Sequence, residues 1–362
     1  MADLKPVGRL PLLFLGMLAL VVGTLAGLAR LGWGVPGPAA AQAGTHGALM
    51  VAAFFGTVIG LERAVAIGRG WAYLGPVAAG LGGVALLAGL PAPVAPLLLT
   101  LASVVLAAAS AVVLRRLVAP FTLILFGGAL CWLVGNLAWL LTAAIAAAVP
   151  WWLAFLVLTI AGERLELTRF LPTPVAAQRV FLVIVAALVL GALLALGAEE
   201  TGLRLFSGGL LALALWLLRY DIARRNAGQQ GLTRYIALCL LSGYGWLLLA
   251  GGLGLAGAFL PGHAWRDAAL HAVGLGFVFA MVFGHAPIIF PAVARVKIPY
   301  HPVFYMPLVL LHLSLALRCF GGLGGAFALR RLGGLANALV LLLFIATMAV
   351  SVWRGRQEKT PS

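Results

Sequence analysis

At 362 residues, with 64% apolar and 9% charged side chains and a mean hydropathy of +1.12, the chain is far too apolar for a soluble domain. It reads as an all-α polytopic membrane protein, a single transmembrane domain over residues 1–362, with the lipid bilayer as its first partner. The +15 balance comes from 24 Lys and Arg against 9 Asp and Glu, gathered at the ends of apolar runs, which marks membrane topology and points away from nucleic acid.

Twelve apolar runs each reach the ~20 residues that a span needs. They lie near 9–31, 46–68, 71–90, 94–114, 119–144, 149–170, 176–197, 201–220, 233–258, 267–294, 302–322 and 333–353. Run 1 is too long for a cleaved signal peptide and lacks a small-residue cleavage site before Trp33. Placing the N-terminus in the cytoplasm leaves Arg30, Arg204, Arg266, Arg318, Arg330 and Arg331 outside and every other Lys and Arg inside. The expectation is therefore a multi-pass protein of the inner (cytoplasmic) membrane with both termini cytoplasmic. Polar stretches are short: 32–45 and the glycine-rich 321–334 outside, 171–179 with Pro172 and Pro174 and 221–232 inside. Cys131, Cys239 and Cys319 stand alone, without CxxC or CxxCH spacing, and read as small packing residues.

The run Leu270 to Pro291 organises the rest, because it is apolar almost throughout yet carries His271 and His285. Ionisable groups at membrane depth are costly and mark functional sites. On an ideal α-helix the fourteen-residue interval puts the two roughly 40° apart on one face and about 21 Å apart along the axis. His46 opens run 2 as His271 opens run 10, so these two histidines share a depth near the outer surface. At the inner ends of every fourth run stand Gly60-Leu61-Glu62-Arg63, Gly162-Glu163-Arg164 and Gly284-His285, a faint sign of three pseudo-repeats of four helices. Glu62, Glu163 and His285 form a candidate inner site for a divalent metal or a proton path, against the simpler reading of Glu–Arg pairing at buried helix ends.

Thr45-His46-Gly47 through Met50-Val51 resembles the second helix of the haem-copper oxidase catalytic subunit, where a His-Gly-x-x-Met-Val pattern supplies an axial ligand to low-spin haem. Run 10 resembles that family's tenth helix, with His271 at the opposite ligand and Phe290-Pro291 in step. Arg330-Arg331, between runs 11 and 12, matches adjacent arginines that the family keeps on the haem propionates, a role suited to the planar guanidinium fork. The fold so implied is haem-copper-oxidase-like. The departures are just as specific: Ala269 stands two before His271 where the family has a second histidine, and no histidine lies between His46 and His263. The high-spin haem and copper ligands are missing.

Lys5-Pro6 to Trp33, the sequence Leu270-His271-Ala272 with Met281 and Gly284-His285, and Leu317-Arg318-Cys319-Phe320 are similar to the NnrS family, haem-containing membrane proteins linked to nitric oxide stress. The His-x-His-Glu-Met and Arg-x-x-Pro-Phe-Phe-Thr patterns of that family are absent. The resemblance implies an NnrS-like branch of the superfamily, one haem b held by His46 and His271 with Arg330 and Arg331, and a role in electron transfer with a redox partner or in nitric oxide protection. Imidazole chemistry agrees, since two neutral imidazoles close both axial positions of a haem iron. A small-molecule or metal transporter, or a non-catalytic partner of a respiratory complex, remain the alternatives. His263 and His301 read as loop residues, and His312 and Asn136 as hydrogen-bond partners between helices.

Overall fold

The computed structural model describes residues 3–169 and 171–357. Among them no strand occurs, and twelve helices are long and apolar enough to cross a membrane. In chain order these are α1 Pro6–Arg30, α2 Ala48–Ile67, α3 Gly70–Leu87, α4 Val94–Arg116, α5 Pro120–Thr142, α6 Ile145–Thr168, α7 Val175–Leu194, α8 Glu199–Tyr220, α9 Gly231–Leu255, α10 Arg266–Ala294, α11 Pro302–Leu323 and α12 Phe327–Gln357. Eleven follow the apolar runs closely. The exception is α12, which starts six residues before the expected 333 and takes Arg330 and Arg331 out of the loop into its first turns. Its glycines pack instead of breaking the helix: a side chain on Gly333 would collide with the backbone of Arg318 on α11. Helices in lipid associate through such close contacts, because the surrounding tails remove most of the hydrophobic drive.

The chain gathers into two compact units, Met1–Gly162 with Val293–Arg295, and Glu163–Ala292 with Val296–Ser362. In the first unit, α1 packs on the beginning of α2 and on α3, and α3, α4 and α5 follow as neighbours in sequence. Asn136 on α5 donates to the Leu99 carbonyl of α4 at 2.9 Å and accepts from the Trp152 indole of α6 at 2.9 Å, so one buried amide ties three helices. Arg9, 3% exposed, donates to Asp3 at 2.8 Å and to the Val293 carbonyl at 3.1 Å, and the Tyr73 hydroxyl donates to Asp3 at 2.6 Å. That hydroxyl, with Arg9 adding its charge, holds the Asp3 carboxyl below its ordinary range.

In the second unit, Gly191 of α7 and Gly202 of α8 let two backbones touch where any side chain would clash. Farther on, α8 packs on α9, α9 on the first half of α10, and α11 on α12. Phe283 and Phe344 stack with centroids 3.9 Å apart. All three cysteines are free thiols buried within the protein.

Two helices depart from regular α geometry. Ala48–Phe55 in α2 and Ala272–Phe279 in α10 are π-helical for eight residues each. Such stretches are rare, normally one turn long, and concentrate at functional sites. Because a π turn holds more residues than an α turn, the 40° separation of His271 and His285 drawn from an ideal helix does not carry over to this span.

Candidate functional site

His46 stands two residues before the first π stretch. It is delivered there by a 3-10 turn, Ala43–Thr45, which is fastened by Gln42: its amide donates to the Leu86 carbonyl at 2.7 Å and its oxygen accepts from the Thr45 hydroxyl at 2.7 Å. His46 Nδ1 lies 2.6 Å from the Gly23 carbonyl of α1. A carbonyl only accepts, so Nδ1 carries the proton and Nε2 keeps the lone pair. Gly27, one turn along α1, seats the ring: a Cβ there would stand 2.8 Å from Cε1 and 3.0 Å from Nδ1.

His271 is set in the same tautomer by different partners. Its Nδ1 lies 2.8 Å from the Asp267 carbonyl one turn earlier in α10 and 3.4 Å from the Asp267 carboxylate. Both are acceptors, so Nδ1 again bears a proton, and in the neutral ring Nε2 holds the lone pair. The carboxylate is in turn gripped by Arg318 of α11, whose Nε and Nη2 donate at 2.9 and 2.8 Å, the two-pronged geometry that makes Arg–carboxylate pairs strong. Arg330 of α12 adds its charge to the same carboxylate. Its guanidinium lies 5.0 Å from the Phe327 ring centroid, and its buried Nε has no hydrogen-bond partner. The second π stretch begins at the residue after His271.

The inner candidates are arranged otherwise. His285 Nδ1 lies 2.8 Å from the Met281 carbonyl, and Arg164 donates to Nε2 at 3.4 Å. The ring nitrogen needed by a metal therefore faces a guanidinium. Glu62 and Glu163 are half-buried near the ends of α2 and α6. Among the described residues no group of three or more His, Cys, Asp and Glu is placed to hold a metal ion.

A family sequence model matches residues 9–353. The chain belongs to the DUF8744 family, described as a domain of unknown function. No curated protein matches it. The DUF8744 match takes in every candidate named above, from the ring seat on α1 to the arginines of α12.

Three other histidines of this DUF8744 chain serve local structure. His312 accepts from the Trp246 indole at Nδ1, 2.9 Å, which leaves Nε2 to donate to the Ser242 hydroxyl at 2.9 Å; it joins α9 to α11 as expected of a partner between helices. His263 accepts from the Trp265 amide and His301 from the Val303 amide, each at 3.1 Å, so both cap their own loops.

Two further buried or half-buried carboxylates stand near these groups. Asp267 was legible in principle: it is one of 9 acidic residues and sits four before His271, the spacing at which helical neighbours meet. Asp221 gave no such signal. It follows α8 in a polar stretch that reads as solvated, yet it is 2% exposed.

Proposed function

We propose that this protein binds one b-type haem near the outer membrane surface, with His46 and His271 as axial ligands and Arg330 and Arg331 as the propionate partners. Its role on this reading is electron transfer or protection against nitric oxide, as an NnrS-like relative of the haem-copper oxidases in the inner membrane with cytoplasmic termini. The observation that carries the proposal is the shared tautomer. Each imidazole gives its Nδ1 proton to a backbone carbonyl, which fixes the ring and leaves Nε2 with the lone pair that iron takes. Each also lies within two residues of the start of a π-helical stretch.

The donor set fits haem. Imidazole suits iron, and the buried Nε of Arg330 is a donor still in need of an acceptor. A haem so held supplies reversible one-electron chemistry whose potential the surrounding charges tune. The chain's own contribution is to orient two rings, one through the Gly23 carbonyl and one through Asp267, and to place cationic groups on one side. With Ala269 in place of the histidine for a high-spin haem and no histidine between His46 and His263 to hold copper, copper-dependent reduction of oxygen is not part of this reading.

The test is the visible spectrum of the purified protein. A six-coordinate low-spin b-type signature is expected, and His46→Ala and His271→Ala should each abolish it while the protein still inserts. A spectrum that survives both changes, or a wild-type protein that takes up no haem, refutes the ligand assignment and favours a transporter or a non-catalytic partner. Replacing Arg330 and Arg331 with glutamine should weaken haem retention and lower the midpoint potential, since removing nearby positive charge favours the oxidised iron.

A further inference from the structure

Away from the proposed haem ligands, the second unit contains a buried polar group of another kind. Asp221 follows the last residue of α8, outside the spans, and is 2% exposed. Its Oδ1 accepts from the Ala223 amide at 2.6 Å, closing the turn into a short helix, Ala223–Asn226. Its Oδ2 has no hydrogen-bond partner. Tyr244 of α9 faces this carboxylate, and its fully buried hydroxyl completes no hydrogen bond of full geometry. Arg164 of α6, 4% exposed, acts on both through its charge and spends one donor on His285.

Two facing oxygens, both buried and both unsatisfied, are costly unless something joins them. A proton on one of them lets the pair share a hydrogen bond. A metal cation is disfavoured by Arg164 and by the want of further ligands. A permanent carboxylate is disfavoured too: Arg164 neutralises it only through space, and a buried charge without a direct partner is better met by taking a proton.

We propose that Asp221 is the proton-binding group of a buried site in the second unit, with the Tyr244 hydroxyl facing it and Arg164 as its fixed counter-charge. The step is the addition of one proton from solvent to the Asp221 carboxylate and its later return; no bond to carbon changes and no electron moves. Burial pushes the Asp221 carboxyl above its ordinary range, and the Arg164 charge together with the Ala223 amide and Tyr244 opposes that rise without cancelling it. Charged and titratable groups around it are Tyr244 and Arg164, with His285 reached through Arg164 and Arg224 and Arg225 next in the chain. The site stands independently of the haem reading.

The sequence makes the test clean, because it has only three aspartates, Asp3, Asp221 and Asp267. Asp3 and Asp267 are each held by an arginine, Arg9 and Arg318. Full-length protein labelled with carboxyl-13C aspartate is followed by infrared spectroscopy across a pH series. A labelled protonated-carboxyl stretch should persist above the pH at which an ordinary aspartate, with a pKa near 3.9, has ionised. Asp221→Asn should remove that band, and Tyr244→Phe should move its frequency while leaving its intensity. No labelled band above that pH in the wild type, a band unchanged in Asp221→Asn, or a band unmoved in Tyr244→Phe each overturns the proposal. Should Asp221→Asn fail to fold, the wild-type series and the Tyr244→Phe shift decide it.

Discussion

The surroundings of His46 and His271 reach one result by opposite means. In the first unit the ring is fixed by packing: a neighbouring helix offers the Gly23 carbonyl, and the bare backbone of Gly27 makes room for the imidazole. In the second unit it is fixed by charge, since the carbonyl comes from the same helix and the Asp267 carboxylate behind it is clamped by Arg318. A ring orientation can thus be specified sterically or electrostatically. The two designs fail under different perturbations.

The largest effect is expected from Asp267→Ala. It strands Arg318, which is 7% exposed, and breaking a buried pair by deleting one partner costs about 3 kcal/mol. Thermal unfolding in detergent should register that loss, and Asp267→Asn, which keeps the shape and one acceptor, should recover part of it. An Asp267→Ala protein as stable as wild type would place the control of His271 in its main-chain contact alone. Gly27→Val comes next. The added side chain overlaps the His46 ring, so the ring must leave its seat at about 1–3 kcal/mol of overpacking, and ligation through His46 should be lost while His271 is untouched. If Gly27→Val keeps the wild-type spectrum, the steric half of the comparison fails. The smallest effect belongs to the control, Trp246→Phe, which removes one hydrogen bond from His312. It should cost about 0.6 kcal/mol, the average for polar contacts between membrane helices, and leave the spectrum unchanged, because His312 has partners on both nitrogens.

The spans were legible because length and apolarity alone decide them, and Asn136 and His312 were rightly read as partners between helices. The start of α12 was not legible. Glycines in 321–334 read as a loop by the rules of soluble proteins, whereas in lipid Gly321 and Gly333 are contact points between α11 and α12. The π stretches were hidden as well, since Ala48–Phe55 and Ala272–Phe279 are simply apolar, and no residue type demands the wider turn. Asp221 is not legible because a polar segment between spans reads as solvated. The short helix after α8 folds it inward instead.

The burial of the three thiols has a practical side. With Cys131, Cys239 and Cys319 at most 3% exposed, the native chain is a nearly silent background for maleimide reagents. A single cysteine introduced at exposed Arg116, and another at exposed Glu200, would each be the dominant reactive handle in its own variant. Impermeant and permeant reagents applied to intact cells can then map which loop lies on which side of the bilayer, without first stripping the protein of its own sulfur.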